Sequence, residues 1–371
     1  MNRSKCFIII PSLLITFCLG CQEAGLTPGC ETPSFFEEYA SRNFQMGFST
    51  WSFGPEENDR RETYQFIAKH ADIYSEQMDE YIPWRALEAS ADMPEALIDE
   101  VDFRFAQRPA GHQLILSVSL LNTDRSELLP DKDAYIPSYE HLDDAMIVDA
   151  YGRYLIYLIE RMKPDYLVMA MEVNDLYLHN PDKWIEYQSL ARQIRPALKA
   201  LYPDLPISES VVLHNWYQPE VDNPDQYISE LASYVNELDF AAISFYPFFK
   251  GQSKARQFQK SFEFLHEQIS IPIGLVETTH LAEDLSVASY DIEIASDPCE
   301  QNEYLESLLS NAQEQSYEFV IWWSHRDYDL LWQVFPDEVK DIGKLWRDTG
   351  LIDDNGEERL AFQTWKKVFE K

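Results

Sequence analysis

Apolar runs of strand length alternate along the chain with segments of helical period. The strand candidates are "FQMGFSTW" (44–51), "ADIYSEQ" (71–77), "QLILSVSLLN" (113–122), "YLVMAMEVN" (166–174), "PISESVVLHNW" (206–216), "LDFAAISFYPF" (238–248), "IPIGLVET" (271–278) and "EFVIWWSHRD" (318–327), eight in all. Helical spacing predicts helices over 95–107, 145–162 and 186–201. A further helix is expected within 296–315, with Asp297 as its N-cap and Pro298 in its first turn. Near-continuous apolar strands are buried on both faces, the condition of a parallel sheet covered by helices. Eight such units predict an α/β fold, a single (β/α)8 TIM barrel over residues 35–371. A doubly wound open sheet is the competitor, but the first strand leads into "STWSFGPEEN" instead of a Gly-rich turn. No Pro/Gly/Ser-rich linker divides the chain.

Composition sharpens this picture. Of the 371 residues 45% are hydrophobic and 14% aromatic, enough for a large core and against disorder. The formal net charge of -34 disfavours nucleic acid and anionic lipid as partners. The N-terminus, "MNRSKCFIIIPSLLITFCLGCQE", carries Arg3 and Lys5 before an apolar run that ends at Leu19. It reads as a signal peptide over 1–20, too short for a membrane span. The ending "CLGC" resembles a lipoprotein signal, with Cys18 where leucine is usual. Lipidation of Cys21, a flexible leader over 21–34 and a secreted or cell-envelope location are expected, with plain secretion as the alternative. Membrane contact is then through the lipid anchor alone, and a monomer is expected. Cleavage leaves Cys21, Cys30 and Cys299, and pairing of Cys30 with Cys299 is open. After cleavage neither a CxxC pair nor a His-x-x-x-His cluster remains, so no metal and no cofactor are expected.

Active groups of such barrels come from the C-terminal ends of the strands. Those ends carry Trp51, Glu76, Asp79, Asn122, Glu172, Asn174, His214, Tyr246, Glu277 and Trp322 to Arg326. Glu172 and Glu277 stand out because each terminates an apolar run, "LVMAME" and "IGLVE". Carboxyls at the rim of an apolar core can have their proton affinities pushed apart. Glycoside hydrolysis needs such a pair: one acid to protonate the leaving oxygen and one carboxylate to attack the anomeric carbon, about 5–5.5 Å apart in retaining enzymes. Taken singly, either glutamate reads equally well as a cap or an ion-pair member. Trp84, Trp216, Trp322 and Trp323 read equally well as core, Glu76 and Asp79 as local ion-pair residues, and Arg326 as structural.

Glutamates ending strands four and seven resemble the signature of glycoside hydrolase clan A. Within it, "DFAAISFYPF" followed by "IPIGLVETTH" is most similar to family 53, the arabinogalactan endo-β-1,4-galactanases. "EYIPW" at 80–84 also resembles loops of that clan. The resemblance implies Glu277 as nucleophile, Glu172 as acid/base and Tyr246 as the tyrosine that hydrogen-bonds the nucleophile. It implies Trp322 or Trp323 as the floor of a sugar subsite. Apart from the resemblance, Trp51, Trp84 and His214 are read as further substrate contacts. One departure stands out: Met171 occupies the position before the acid/base where asparagine is usual. Strand alternation would put Asn174 on the same side as Glu172, able to take over that asparagine's contact with a sugar hydroxyl. The function implied is retaining, endo-acting hydrolysis of a neutral β-linked polysaccharide, β-1,4-galactan first and β-mannan next. A non-catalytic glycan-binding lipoprotein is the rival, as is a metal-dependent hydrolase or lyase using His214, His280 and His325.

Overall fold

The computed structural model describes Cys30 and residues 39–371. The expected signal peptide, Cys21 and all of the leader but Cys30 lie outside the described residues. The compact unit is Pro33–Lys371. Its barrel strands are β1 (Gln45–Ser49), β2 (Ile73–Met78), β3 (Gln113–Val118), β4 (Tyr166–Val168), β5 (Ile207–Ser208), β6 (Ser210–Val212), β7 (Ala241–Phe245), β8 (Ile273–Thr278) and, after a two-stranded hairpin of β9 (Leu285–Val287) and β10 (Ile292–Ile294), β11 (Phe319–Trp322). They form one sheet in the order β5-β4-β3-β2-β1-β11-β8-β7-β6. All of its pairings are parallel. The terminal strands β5 and β6 are separated only by Glu209, so the chain itself joins the two ends of the ladder. The ring therefore has eight positions, as the sequence pattern predicts.

Both faces of the strands are buried, which is why they read as unbroken apolar runs. Inward residues Ile73, Ile115, Val168, Ala242, Val276, Phe319 and Ile321 fill the barrel as one cluster. Gly274 makes room for the Phe319 ring, because a Cβ there would land inside that ring. Outward residues such as Phe48, Tyr74, Leu114, Leu116 and Val320 join the larger core beneath the helices.

The helices Glu95–Gln107 and Ala145–Met162 occupy the expected spans. The segment 186–201 lies inside a longer helix, Pro181–Leu201, capped by Asn180. In the helix Pro298–Gln315, Asp297 Oδ1 accepts from the backbone N–H groups of Cys299 and Glu300 at 2.8 and 2.9 Å, the expected cap. Cys30 and Cys299 are both disulfide-bonded. Five strand expectations, 113–122, 166–174, 206–216, 238–248 and 318–327, run too long by four residues or more. β4 ends at Val168 and a helix starts at Asn174, and Leu213–Tyr217 is helical, not extended. The β9–β10 hairpin gave no sequence signal, because its residues 285–294 carry no turn dipeptide of the usual kind.

Candidate active site

The upper layer of the barrel is built from small hydroxyl residues. Ser49, Ser75, Ser117, Ser210 and Ser244 are all buried in strands near the C-terminal ends. Short side chains there leave space above the apolar interior, and the two glutamates reach into that space. Met171, in the position where asparagine was awaited, turns down into the interior cluster with Ala242 and Val276. Met171 therefore caps the apolar interior and contributes no polar group to the mouth.

Glu172 follows β4 with a φ of 55°, the left-handed region that costs a side-chain-bearing residue roughly 1–2 kcal/mol. Local hydrogen bonds hold it there. Its N–H donates to Ser210 Oγ at 2.8 Å, and its carbonyl accepts from Asp175 N at 3.2 Å. The carboxylate is fixed at both oxygens. Arg125 donates to Oε2 through Nε at 3.1 Å and Nη2 at 2.7 Å, and Ser244 Oγ donates to Oε1 at 2.9 Å. Arg125 is itself anchored by the carbonyls of Leu121 and Asn122 and by Ser119 Oγ. Asn122 holds that turn by accepting from the N–H groups of Ser126 and Glu127.

Glu277 sits inside β8, its carboxyl receiving a hydrogen bond from Gln77 Nε2 of β2. In the β7–β8 ladder its register partner is Ser244, the residue that touches Glu172. Ser244 thus links the two glutamates, touching Glu172 through its hydroxyl and Glu277 through backbone register. Burial first, then the charges of Glu172 and Asp79, push the Glu277 carboxyl well above the ordinary carboxylate range, with Arg125 and Gln77 opposing. Asp79, just beyond β2, is raised by burial and by Glu172, while Arg104 and Arg125 oppose. Burial and Glu172 likewise raise Asp175 to about 7, although Asn215 Nδ2 donates to it at 2.9 Å. Burial and mutual repulsion thus raise the proton affinities of Glu277, Asp79 and Asp175 around Arg125.

Several expected contacts are corrected. Trp84 is fully buried, its Nε1 donating to the Leu129 carbonyl at 2.7 Å. Trp322 is equally buried and donates to the Thr349 carbonyl at 3.1 Å, as Trp216 does to Ile228 at 3.3 Å. These three are core. Asn174 is not beside the acid: its amide nitrogen donates to the Val212 carbonyl and Tyr227 hydroxyl, and its oxygen accepts from Val212 N at 2.6 Å. Strand alternation fails there because β4 ends at Val168 and Glu172 takes the left-handed conformation before the helix. Tyr246 does not hold the nucleophile candidate. Its ring packs with Phe248, Leu281 and Val287, its buried hydroxyl has no protein partner, and Gln77 takes the expected place.

Trp323 and Trp51 lie ring to ring at 4.9 Å, with both Nε1 atoms buried and unpartnered. His214 accepts from Tyr246 N through Nδ1 at 3.4 Å, and burial, with the Lys250 charge, lowers it to about 3. Glu76 points outward into an ion-pair cluster with Arg104 at 3.0 Å, Tyr64 and Thr50. Arg326 binds the carbonyls of Asp353 and Asp354, a structural role. His280 is tied to the carbonyls of Leu281 and Gln252, and His325 packs on Phe66. Among the described residues these histidines do not converge on a metal position. The one carboxylate trio that does converge, Asp327, Asp329 and Asp348, is ion-paired with Arg347 and Arg359.

Sequence reasoning missed Gln77, Arg125 and Ser244. Gln77 was legible in principle, since it shares the inward alternation of Ile73 and Ser75 on β2. Arg125 was not, because it arrives on a loop.

No protein-family model matches the sequence, and no curated protein is detectably similar to it. Solved structures do match by fold. An exo-β-1,4-mannosidase from an Opitutaceae bacterium superposes with a TM-score of 0.62 at 12% identity, over 88% of this chain. This chain spans only 59% of that mannosidase's length. A GH5_18 protein from Bifidobacterium longum subsp. longum matches with a TM-score of 0.61 at 14% identity, over 88% of this chain and 78% of that one. The GH53 catalytic domain of Ignisphaera aggregans matches with a TM-score of 0.56 at 15% identity, over 90% and 93% of the two chains. At these identities the likeness is one of fold.

Proposed function

We propose that this barrel is a retaining glycoside hydrolase with Glu172 and Glu277 as its reacting pair. The observation that carries the reading is their link through Ser244, one by side chain and one by register, with Glu172 raising the proton affinity of Glu277. Double displacement needs one proton and one negative charge at such a site. By the clan resemblance, Glu277 attacks the anomeric carbon while Glu172 gives a proton to the departing oxygen; Glu172 then takes a proton from the water that releases the sugar. Gln77 would hold Glu277 in line, and positive charge developing on the sugar would favour its ionised form.

The reversed assignment is favoured by one feature of the empty site. Arg125 is fixed on Glu172, and burial keeps the proton on Glu277. Azide separates the two assignments. An alanine variant of the nucleophile returns the glycosyl azide of inverted configuration, and an alanine variant of the acid/base returns the retained one. Glu277→Ala giving the inverted azide makes Glu277 the nucleophile, and the retained azide makes it the acid. A wild-type protein inert on every β-glycan would sink both assignments and leave the glycan-binding reading.

The substrate is a neutral β-linked glycan. β-1,4-Galactan is proposed first, on the "SFYPF" and "GLVET" resemblance, and β-mannan second, on the fold match to a β-1,4-mannosidase. The chain is proposed to be secreted and lipidated at Cys21, on the N-terminal pattern alone. Mass spectrometry of the membrane fraction tests that: an unmodified Cys21 would overturn it.

A further inference from the structure

Beside the reacting pair, at the ends of β1 and β2, lies a cavity of about 330 Å³ lined by Ser49, Trp51, Ser75, Gln77 and Asp79. That volume falls at the small end of the range for ligand pockets, about 300–1,000 Å³. Three of its polar lining residues are left unsatisfied by the protein. Ser49 and Ser75 are register partners on adjacent strands, 1% and 0% exposed, and neither hydroxyl has a hydrogen-bond partner. Trp51 Nε1 is also buried and unpartnered. Buried polar groups in folded proteins are nearly always paired, so three orphans facing one cavity point to a partner that arrives with the ligand.

Asp79 completes the set. Among the described residues it makes no ion pair and takes no hydrogen bond from another side chain, although two arginines line the same cavity. Both arginines are committed elsewhere. Arg60 pairs with Glu100 at 2.6 Å, and Arg104 binds Glu100, Glu76 and the Gln77 carbonyl. The cavity therefore offers the carboxylates of Asp79 and Glu80, two hydroxyls and an indole donor, but no free cation among the described residues. Leu331 and Phe335 supply an apolar wall.

We infer that this cavity is a subsite for one neutral sugar unit of the substrate, with Asp79 accepting from two of its hydroxyls and Ser49, Ser75 and Trp51 completing the contacts. A uronic acid is rejected there, because its carboxylate would face Asp79 without a cation. The inference deepens the glycosidase reading and rests on it, through Gln77, which lines the cavity and binds Glu277.

The test uses the full chain with Glu277→Gln to stop turnover, titrated calorimetrically with β-1,4-galactobiose, β-1,4-mannobiose and digalacturonate. At least one neutral disaccharide is expected to bind, and digalacturonate at least a hundredfold more weakly. Adding Asp79→Asn, or Ser49→Ala with Ser75→Ala, is expected to weaken neutral binding at least tenfold. The serine pair should leave the melting temperature unchanged or higher, since unpartnered hydroxyls contribute nothing to the empty fold. Neutral binding that stays within twofold of the parent in both variants overturns the subsite while leaving the reacting pair standing. Failure of both neutral disaccharides to bind also overturns it. Hydrolysis of β-glycan by the wild type then decides separately whether the glycosidase reading survives.

Discussion

At the scale of single residues, the site opposes stability to chemistry. Glu277 is the clearest case. Its folded-state proton affinity lies above the ordinary value of 4.5, so between that pH and its raised value the folded chain holds more protons than the unfolded one. Stability from this residue is therefore greatest at low pH and is lost as pH rises through the window. Glu277→Gln is expected to melt at a higher temperature than wild type near pH 7, with the gap closing toward about pH 4. Equal melting curves at both pH values would refute the burial argument. Arg125 is a positioning residue that holds Glu172 and opposes the rise at Glu277. Arg125→Met should cost about 10²-fold in kcat. With Glu277 as nucleophile, it should also move the acidic limb of kcat/KM to higher pH, whereas a merely structural role would leave that limb in place. The two neighbouring tryptophans should part company. Trp322→Ala removes a fully buried ring and should cost about 3–5 kcal/mol in a urea titration. Trp323→Ala should act mainly on KM.

Among the elements, the fifth barrel position is the one the sequence least explains. β5 and β6 flank Glu209, a fully buried carboxylate in what would otherwise be a continuous strand. Arg195, from the helix Pro181–Leu201, meets it at 3.1 Å, and the Tyr234 hydroxyl from the helix Pro224–Val235 donates to it as well. The break thus ties two helices to the strand that closes the ring. Removing one partner of such a pair leaves a buried charge uncompensated, so Arg195→Ala should lose about 3–5 kcal/mol. An unchanged denaturation midpoint would show that the tyrosine alone suffices. The β4 end shows the opposite arrangement. There Ser210 grips the backbone at Glu172, and a helix starts two residues later. Alternation along "MEVND" suggested a rim contact for Asn174, and the turn removed it.

Considered as a whole molecule, a chain with a formal charge of -34 repels itself and other polyanions. Its melting temperature should rise as salt goes from about 0.01 to 0.5 M, because the Debye length shrinks from about 30 Å to a few ångströms. KM for a neutral glycan should stay flat over the same range. A salt-dependent KM would instead point to a charged substrate. The eight-fold alternation was legible because burying both faces of every strand forces an unbroken apolar run at each. The expected helices at 95–107 and 145–162, and the Asp297 cap, were equally local matters. Glu172 and Glu277 were legible as charges ending such runs. What the sequence alone determined is therefore whatever follows from neighbouring residues: period, caps and the charges that close apolar runs. Tertiary structure alone decided what each strand end faces. It sent Trp84, Trp322 and Asn174 inward, brought Arg125 from a loop 47 residues before Glu172, and set Gln77 against Glu277 across 200 residues of chain. Those pairings depend on how a ring of eight closes, and nothing in the local pattern carries that distance.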